Sequence, residues 1–172
     1  MKMQLKHAAL AAALLGAALG QDSIAQTGTG SALGSVVASY LDLKNALTRD
    51  DGDSARIAGR NLQKEIHNVA ADSLTPTDRL VWTKYQKDLI QDADEIAASE
   101  EIDGLRIHFQ SLSATMYECL KRLKINTVDL YYQYCPMAKA YWLSENAKIV
   151  NPYQGQKMLT CGSNKDTLKA GR

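Results

Sequence analysis

Residues 35–165 are predicted to fold as one mainly α domain: a four-helix antiparallel up-and-down bundle, with a C-terminal irregular or short-β segment over residues 128–162 packed on it. Three observations predict this. Four stretches carry apolar residues at alternating three- and four-residue spacing, as helices burying one face do. The connections between them are short and polar, which favours antiparallel neighbours. After Asn126 the pattern gives way to β-branched and aromatic residues punctuated by turn chemistry.

The N-terminus stands outside this domain. Lys2 and Lys6 precede an apolar run over residues 8–18 that is too short to anchor in a bilayer, and small residues follow it. A cleaved signal peptide is expected over residues 1–25, with cleavage after Gly20 or Ala25. The mature protein is expected to be periplasmic or secreted, with no membrane insertion once the signal is removed. Residues 26–34 are small and polar and read as a flexible leader.

The first helix shows the stripe Leu33, Val36, Val37, Tyr40, Leu43 and Leu47, and the acidic residues Asp50, Asp51 and Asp53 end it. Asp53 or Ser54 is expected to cap the second helix, whose stripe is Ile57, Leu62, Ile66 and Val69. Thr75, Pro76 and Asp78 make a strong start for the third, because the threonine accepts from an early N–H and proline suits the first turn. Its stripe is Val81, Tyr85, Leu89, Ala93 and Ile96, with residues 92–95 on the wet side. The fourth is the most regular, with Ile102, Leu105, Phe109, Leu112, Met116, Cys119 and Leu123 in line. Met116 and Cys119 are therefore core. Residues 166–172 read as a frayed tail.

Charge excludes one class of function. Loss of Lys2 and Lys6 takes the net charge from +1 to −1, or to 0 if Asp22 leaves too, and the signs are interspersed. No basic face exists to hold nucleic acid. The chain has no glycine-rich phosphate loop, no Gly-x-Ser-x-Gly elbow and no His-Glu-x-x-His pair, so it is not expected to be an enzyme. The acidic run at residues 50–53 lacks the distal glutamate of a calcium loop and suits a turn with a helix cap.

Sulfur marks the candidate site. Cys135 and Cys161 lie twenty-six positions apart, Met137 follows the first by two residues and Met158 precedes the second by three. Thiolate and thioether donors together favour a monovalent soft ion, copper(I) or silver(I), since a polarisable d¹⁰ cation accepts few ligands without penalty. Zinc would call for histidine or further cysteines instead. Cys135, Met137, Met158 and Cys161 are the candidate metal ligands, with His108 on the fourth helix as an additional one. The alternative is a Cys135–Cys161 disulfide, suited to an oxidising compartment and stabilising by roughly 3 kcal/mol in the chain-entropy model. The methionines would then be packing, and residues such as Tyr131, Tyr134, Tyr141 and Trp142 would present a docking surface to another envelope protein. A third class, redox catalysis, lacks the Cys-x-x-Cys spacing that lowers a thiol pKa at a helix start.

The motif Cys135, Pro136, Met137 and Ala138, with Tyr141 to Ser144, Asn151 to Tyr153, Gly155, and Met158, Cys161 and Gly162, resembles domain-of-unknown-function family 3347. The likeness extends upstream through residues 40–47, 96–98 and 106–113. It implies an exported bacterial domain, of a kind also found attached to periplasmic adaptor subunits of copper and silver efflux systems. An efflux adaptor or another envelope protein is therefore the implied partner, and the family's Cys-Pro-Met and Met-x-x-Cys-Gly fall on the residues named above. One departure is visible: similar proteins often carry more residues between Ala138 and Tyr141, where only Lys139 and Ala140 stand here. The shorter link is expected to shift the first sulfur pair relative to the second.

Overall fold

The computed structural model describes residues 27–171, with side chains from residue 32 onward. The expected signal peptide over residues 1–25 lies outside the described residues. Four helices, α1 (Thr27–Thr48), α2 (Gly52–Asn68), α3 (Pro76–Ala98) and α4 (Ile102–Leu123), are followed by strands β1 (Leu130–Cys135), β2 (Ala140–Ser144) and β3 (Ser163–Leu168). Helices that follow one another in the chain pack on one another. The strands form one antiparallel sheet in the order β2-β1-β3. Strand β2 lies against both α1 and α4, so the hairpin is laid across the bundle's open side. Among the described residues no helix is long and apolar enough to cross a membrane.

The helix stripes become the core. Leu33, Val36, Tyr40, Leu43 and Leu47 of α1 and Leu105, Phe109, Leu112, Met116, Cys119 and Leu123 of α4 are all buried, which confirms Met116 and Cys119 as core residues. Thr75 caps α3, its hydroxyl oxygen accepting from the Asp78 N–H at 3.2 Å with Pro76 in the first turn. Leu123 is followed by Lys124 in the left-handed conformation at φ 54, whose N–H closes the last turn of α4 on the Leu120 carbonyl at 2.8 Å.

Several expectations need correction. Residues 27–34 are not a flexible leader but the first turns of α1, and Leu33 is only 3% exposed. Their small polar side chains hide a helix that starts ahead of its apolar stripe. The cap of α2 is Asp51, which accepts from the Ser54 N–H at 3.0 Å, rather than Asp53 or Ser54. Ile57 is 52% exposed. The inward face of α2 uses Ala55, Ala58 and Gly59 in its place, and a Cβ on Gly59 would stand 2.8 Å from the Ile96 side chain. Helices α2 and α3 therefore approach too closely for a branched residue there. Asp92 is buried at the α3–α4 seam instead of facing water. Of the tail expected over residues 166–172, residues 166–168 belong to β3, which pairs Leu168, Thr167 and Asp166 with Leu130, Tyr131 and Tyr132. Beyond it the Ala170 N–H donates to Asp129 at 2.9 Å and the Gly171 N–H to the Asn126 carbonyl at 2.7 Å.

Candidate functional site

Two tight turns bring the distant cysteines to one place. Strand β1 ends at Cys135, which faces Ala140 across the first hairpin, and residues 136–139 close it with Lys139 at φ 53. The Ala138 N–H donates to the Cys135 Sγ at 3.4 Å, so the thiol itself is part of the turn. On the other side, the Cys161 N–H donates to the Met158 carbonyl at 3.1 Å. The pairing of Tyr134 with Ser163 sets Gly162 beside the end of β1. Gly162 has φ 150, and a Cβ on it would stand 2.9 Å from both the Trp142 ring and the Tyr134 carbonyl. Only glycine lets the chain pass that close, and the pass carries Cys161 to Cys135. The two thiols are neighbours, and burial together with the nearby Cys135 pushes the Cys161 thiol pKa up.

Cys135 is fully buried, Cys161 is half-buried, and all three cysteines are free thiols. With the short link after Ala138, Cys135 and Cys161 are neighbours. Met137 and Met158, the other candidates, stand at the surface with 65% and 45% exposure. They flank the thiols in the chain. His108 does not join the group: it is half-buried at the α3–α4 seam, where its charge acts on Asp92. Cys119 stays in the core of α4, its thiol pKa pushed up to about 12 by burial. Among the described residues no group of three or more His, Cys, Asp or Glu side chains is placed to hold a metal ion. The sulfur gathered in this segment, two thiols with two exposed thioethers nearby in sequence, is of a donor type that suits soft monovalent ions better than zinc or calcium.

The residues that hold this arrangement carry no sulfur and leave no ligand signature in the sequence. Asn151 is fully buried and organises the Cys161 arm. Its amide donates to the Cys161 carbonyl at 2.5 Å, its Oδ1 accepts from the Tyr153 and Gln154 N–H groups, and its own N–H donates to the Leu159 carbonyl at 2.7 Å. Arg106 of α4 donates to the Pro152 carbonyl at 2.9 Å and to Asp50, while the Gln156 N–H donates to the other Asp50 oxygen at 3.0 Å. Burial works to raise the Asp50 pKa, but the Gln156 N–H and the Arg106 guanidinium hold it below the usual carboxylate value. The α1–α2 turn, α4 and the 152–156 loop are clasped together.

The hairpin is fastened in the same way. Tyr40 of α1 shares a 2.7 Å hydrogen bond with Ser113 of α4 and accepts the Leu143 N–H at 3.0 Å. Lys44, 2% exposed, pairs with Glu145 at 2.6 Å just after β2. Burial lowers the Lys44 pKa and the Glu145 contact opposes it. Asn151 falls in the motif residues 151–153 and Tyr40 and Lys44 in the motif residues 40–47.

A ladder of tyrosines runs along the hairpin. Tyr117 of α4 stacks on Tyr132 at 3.7 Å, Tyr132 on Tyr141 at 4.8 Å, and Tyr141 lies 4.6 Å from Tyr134. Lys121 and Lys165 sit over its two ends. Tyr141 is 37% exposed, so the ladder reaches the surface near the thiol pair.

No curated protein and no solved structure matches the chain at a significant level. One family does, over residues 36–127, which span most of α1 and all of α2, α3 and α4 and stop before the sheet. Tyr40, Lys44, Arg106 and Ser113, which hold the hairpin and the Cys161 arm, fall inside that span; both cysteines fall outside it. The chain belongs to the family described as "Protein of unknown function (DUF3347)".

Proposed function

We propose that this protein handles a monovalent soft metal ion, copper(I) or silver(I), outside the cytoplasm, in heavy-metal efflux or tolerance. The carrying observation is that Cys135 and Cys161, far apart in sequence, are brought side by side by the Tyr134–Ser163 pairing and the close pass at Gly162. Two thiolates suffice for a d¹⁰ ion that accepts low coordination numbers, and binding would release their protons. The exposed Met137 and Met158 would offer further thioether sulfur at the rim and a route of exchange with a partner such as an efflux adaptor.

The test is titration of the reduced protein with cuprous ion against a competing chelator. Cys135→Ser and Cys161→Ser each lower the affinity by about 100-fold or more, the loss expected when a ligand rather than an outer-shell partner is removed. Met137→Ala lowers it less, and His108→Ala leaves it unchanged. Equal affinities in wild type and both cysteine variants sink the reading.

A second reading has its own observation. The lysine-flanked tyrosine ladder on the hairpin is the kind of amphipathic aromatic surface that docks proteins, and a Cys135–Cys161 disulfide would fix it for an envelope partner. Non-reducing peptide mapping of protein taken directly from cells separates the two, since a pair found free weighs against this version.

A further inference from the structure

We propose that Cys161 is a thiol-exchange site for small disulfides and that Cys135 is its resolving thiol. The inference rests on the reading of this thiol pair as the functional site, but not on metal binding. The two sulfurs differ in access and not in company. Cys161 is half-exposed in a surface turn between the exposed Met158 and the glycine at 162, whereas Cys135 is fully buried at the end of β1. They are nevertheless neighbours, because the Tyr134–Ser163 pairing and the close pass at Gly162 set Cys161 beside the end of β1. An incoming disulfide reaches only the first, and whatever forms there lies next to the second.

The exchange balances in two steps. The Cys161 sulfur attacks one sulfur of a disulfide RSSR; a Cys161–SR bond forms, the RS–SR bond breaks, and the leaving sulfur takes a proton as RSH. The Cys135 sulfur then attacks Cys161 Sγ, forming the Cys135–Cys161 bond and expelling the second RSH. Two electrons pass from the protein to RSSR and two protons leave with the released thiols. The product ties the hairpin turn at residues 136–139 to the Met158 turn and consumes both thiols, so disulfide and metal exclude each other.

Both arms are fixed by their own hydrogen bonds. The Cys135 turn is closed by the Ala138 N–H on its sulfur, and the Cys161 carbonyl is held by Asn151. Cys119, 1% exposed in the core of α4, takes no part.

The experiment treats the reduced protein with glutathione disulfide, quenches with acid at intervals and maps adducts by mass spectrometry. The expected course is a single glutathione adduct on Cys161, then its replacement by a Cys135–Cys161 disulfide with two glutathione released per chain. Cys135→Ser and, as a second variant, Cys135→Ala stop at the Cys161 adduct; Cys161→Ser takes up no glutathione while folded. A first adduct on Cys135 or Cys119, or a wild-type Cys161 adduct that persists, overturns the proposal. Cuprous binding in a protein that forms no internal disulfide overturns the exchange and spares the metal reading. Disulfide formation in a protein that binds no cuprous ion supports the exchange and removes the metal reading alone.

Discussion

Asn151 commits every polar atom it has. Its side chain and backbone close the 151–161 arm on itself, with partners at Leu159, Cys161, Tyr153, Gln154 and Gly155. Asn151→Ala leaves the Cys161 carbonyl and two N–H groups without these partners in a buried place, which costs about 2–3 kcal/mol. Denaturant unfolding of the variant checks this. A second residue makes a pH argument. Asp92 faces Ser111 and His108 from α4 and Asp88 and Glu95 on its own helix, and its Oδ2 has no hydrogen-bond partner. Burial raises its pKa, so folding favours the protonated acid. Its contribution is full below the unfolded value of about 3.9 and is lost as pH rises through the folded value. Asp92→Asn keeps the shape without the charge, and a higher Tm than wild type at pH 7 is expected. The gap should close toward pH 4 in a thermal series, and an unchanged gap would argue against a buried carboxylate.

At the scale of elements, the close pass at Gly162 decides whether the thiols meet. Gly162→Ala places a methyl 2.9 Å from the Trp142 ring and the Tyr134 carbonyl. The strain should cost about 1–3 kcal/mol and move Cys161 off Cys135. Slower disulfide formation than in wild type, together with lower stability, is the expected result. The same contrast explains what was legible in the sequence. Helices α1, α3 and α4 announce themselves through apolar spacing and the Thr75–Pro76 start, because burying one face of a helix leaves a periodic trace. The polar strand β3 leaves none: residues 163–165 are exposed, and its order comes from pairing with β1 and from side chains such as Asp129 and Asn126 beyond it. Ile57 is misplaced by sequence for a related reason. Gly59 brings α2 and α3 together closely enough that small residues take the seam. Met137, Met158 and His108 carry the right chemistry for ligands, yet periodicity has nothing to say about irregular turns or about which seam a half-buried histidine faces.

The whole molecule is a scaffold and an appended site. The helices supply Tyr40 and Lys44 from α1 and Arg106 and Ser113 from α4, all within the family match, and these grip strand β2 and the 145–156 loop. The gripped segment then brings Cys135 and Cys161 into contact. A bundle held together by its own core leaves its open side free to carry such a segment, so the helices position chemistry that they do not themselves contain. On the proposed metal reading this contact is a sulfur-only site for a soft monovalent ion. X-ray absorption at the copper edge of the cuprous-loaded protein shows its ligands: a first shell of sulfur alone, altered in Cys135→Ser and in Cys161→Ser, is expected, and a shell containing nitrogen or oxygen, or one unchanged in both variants, rules the site out.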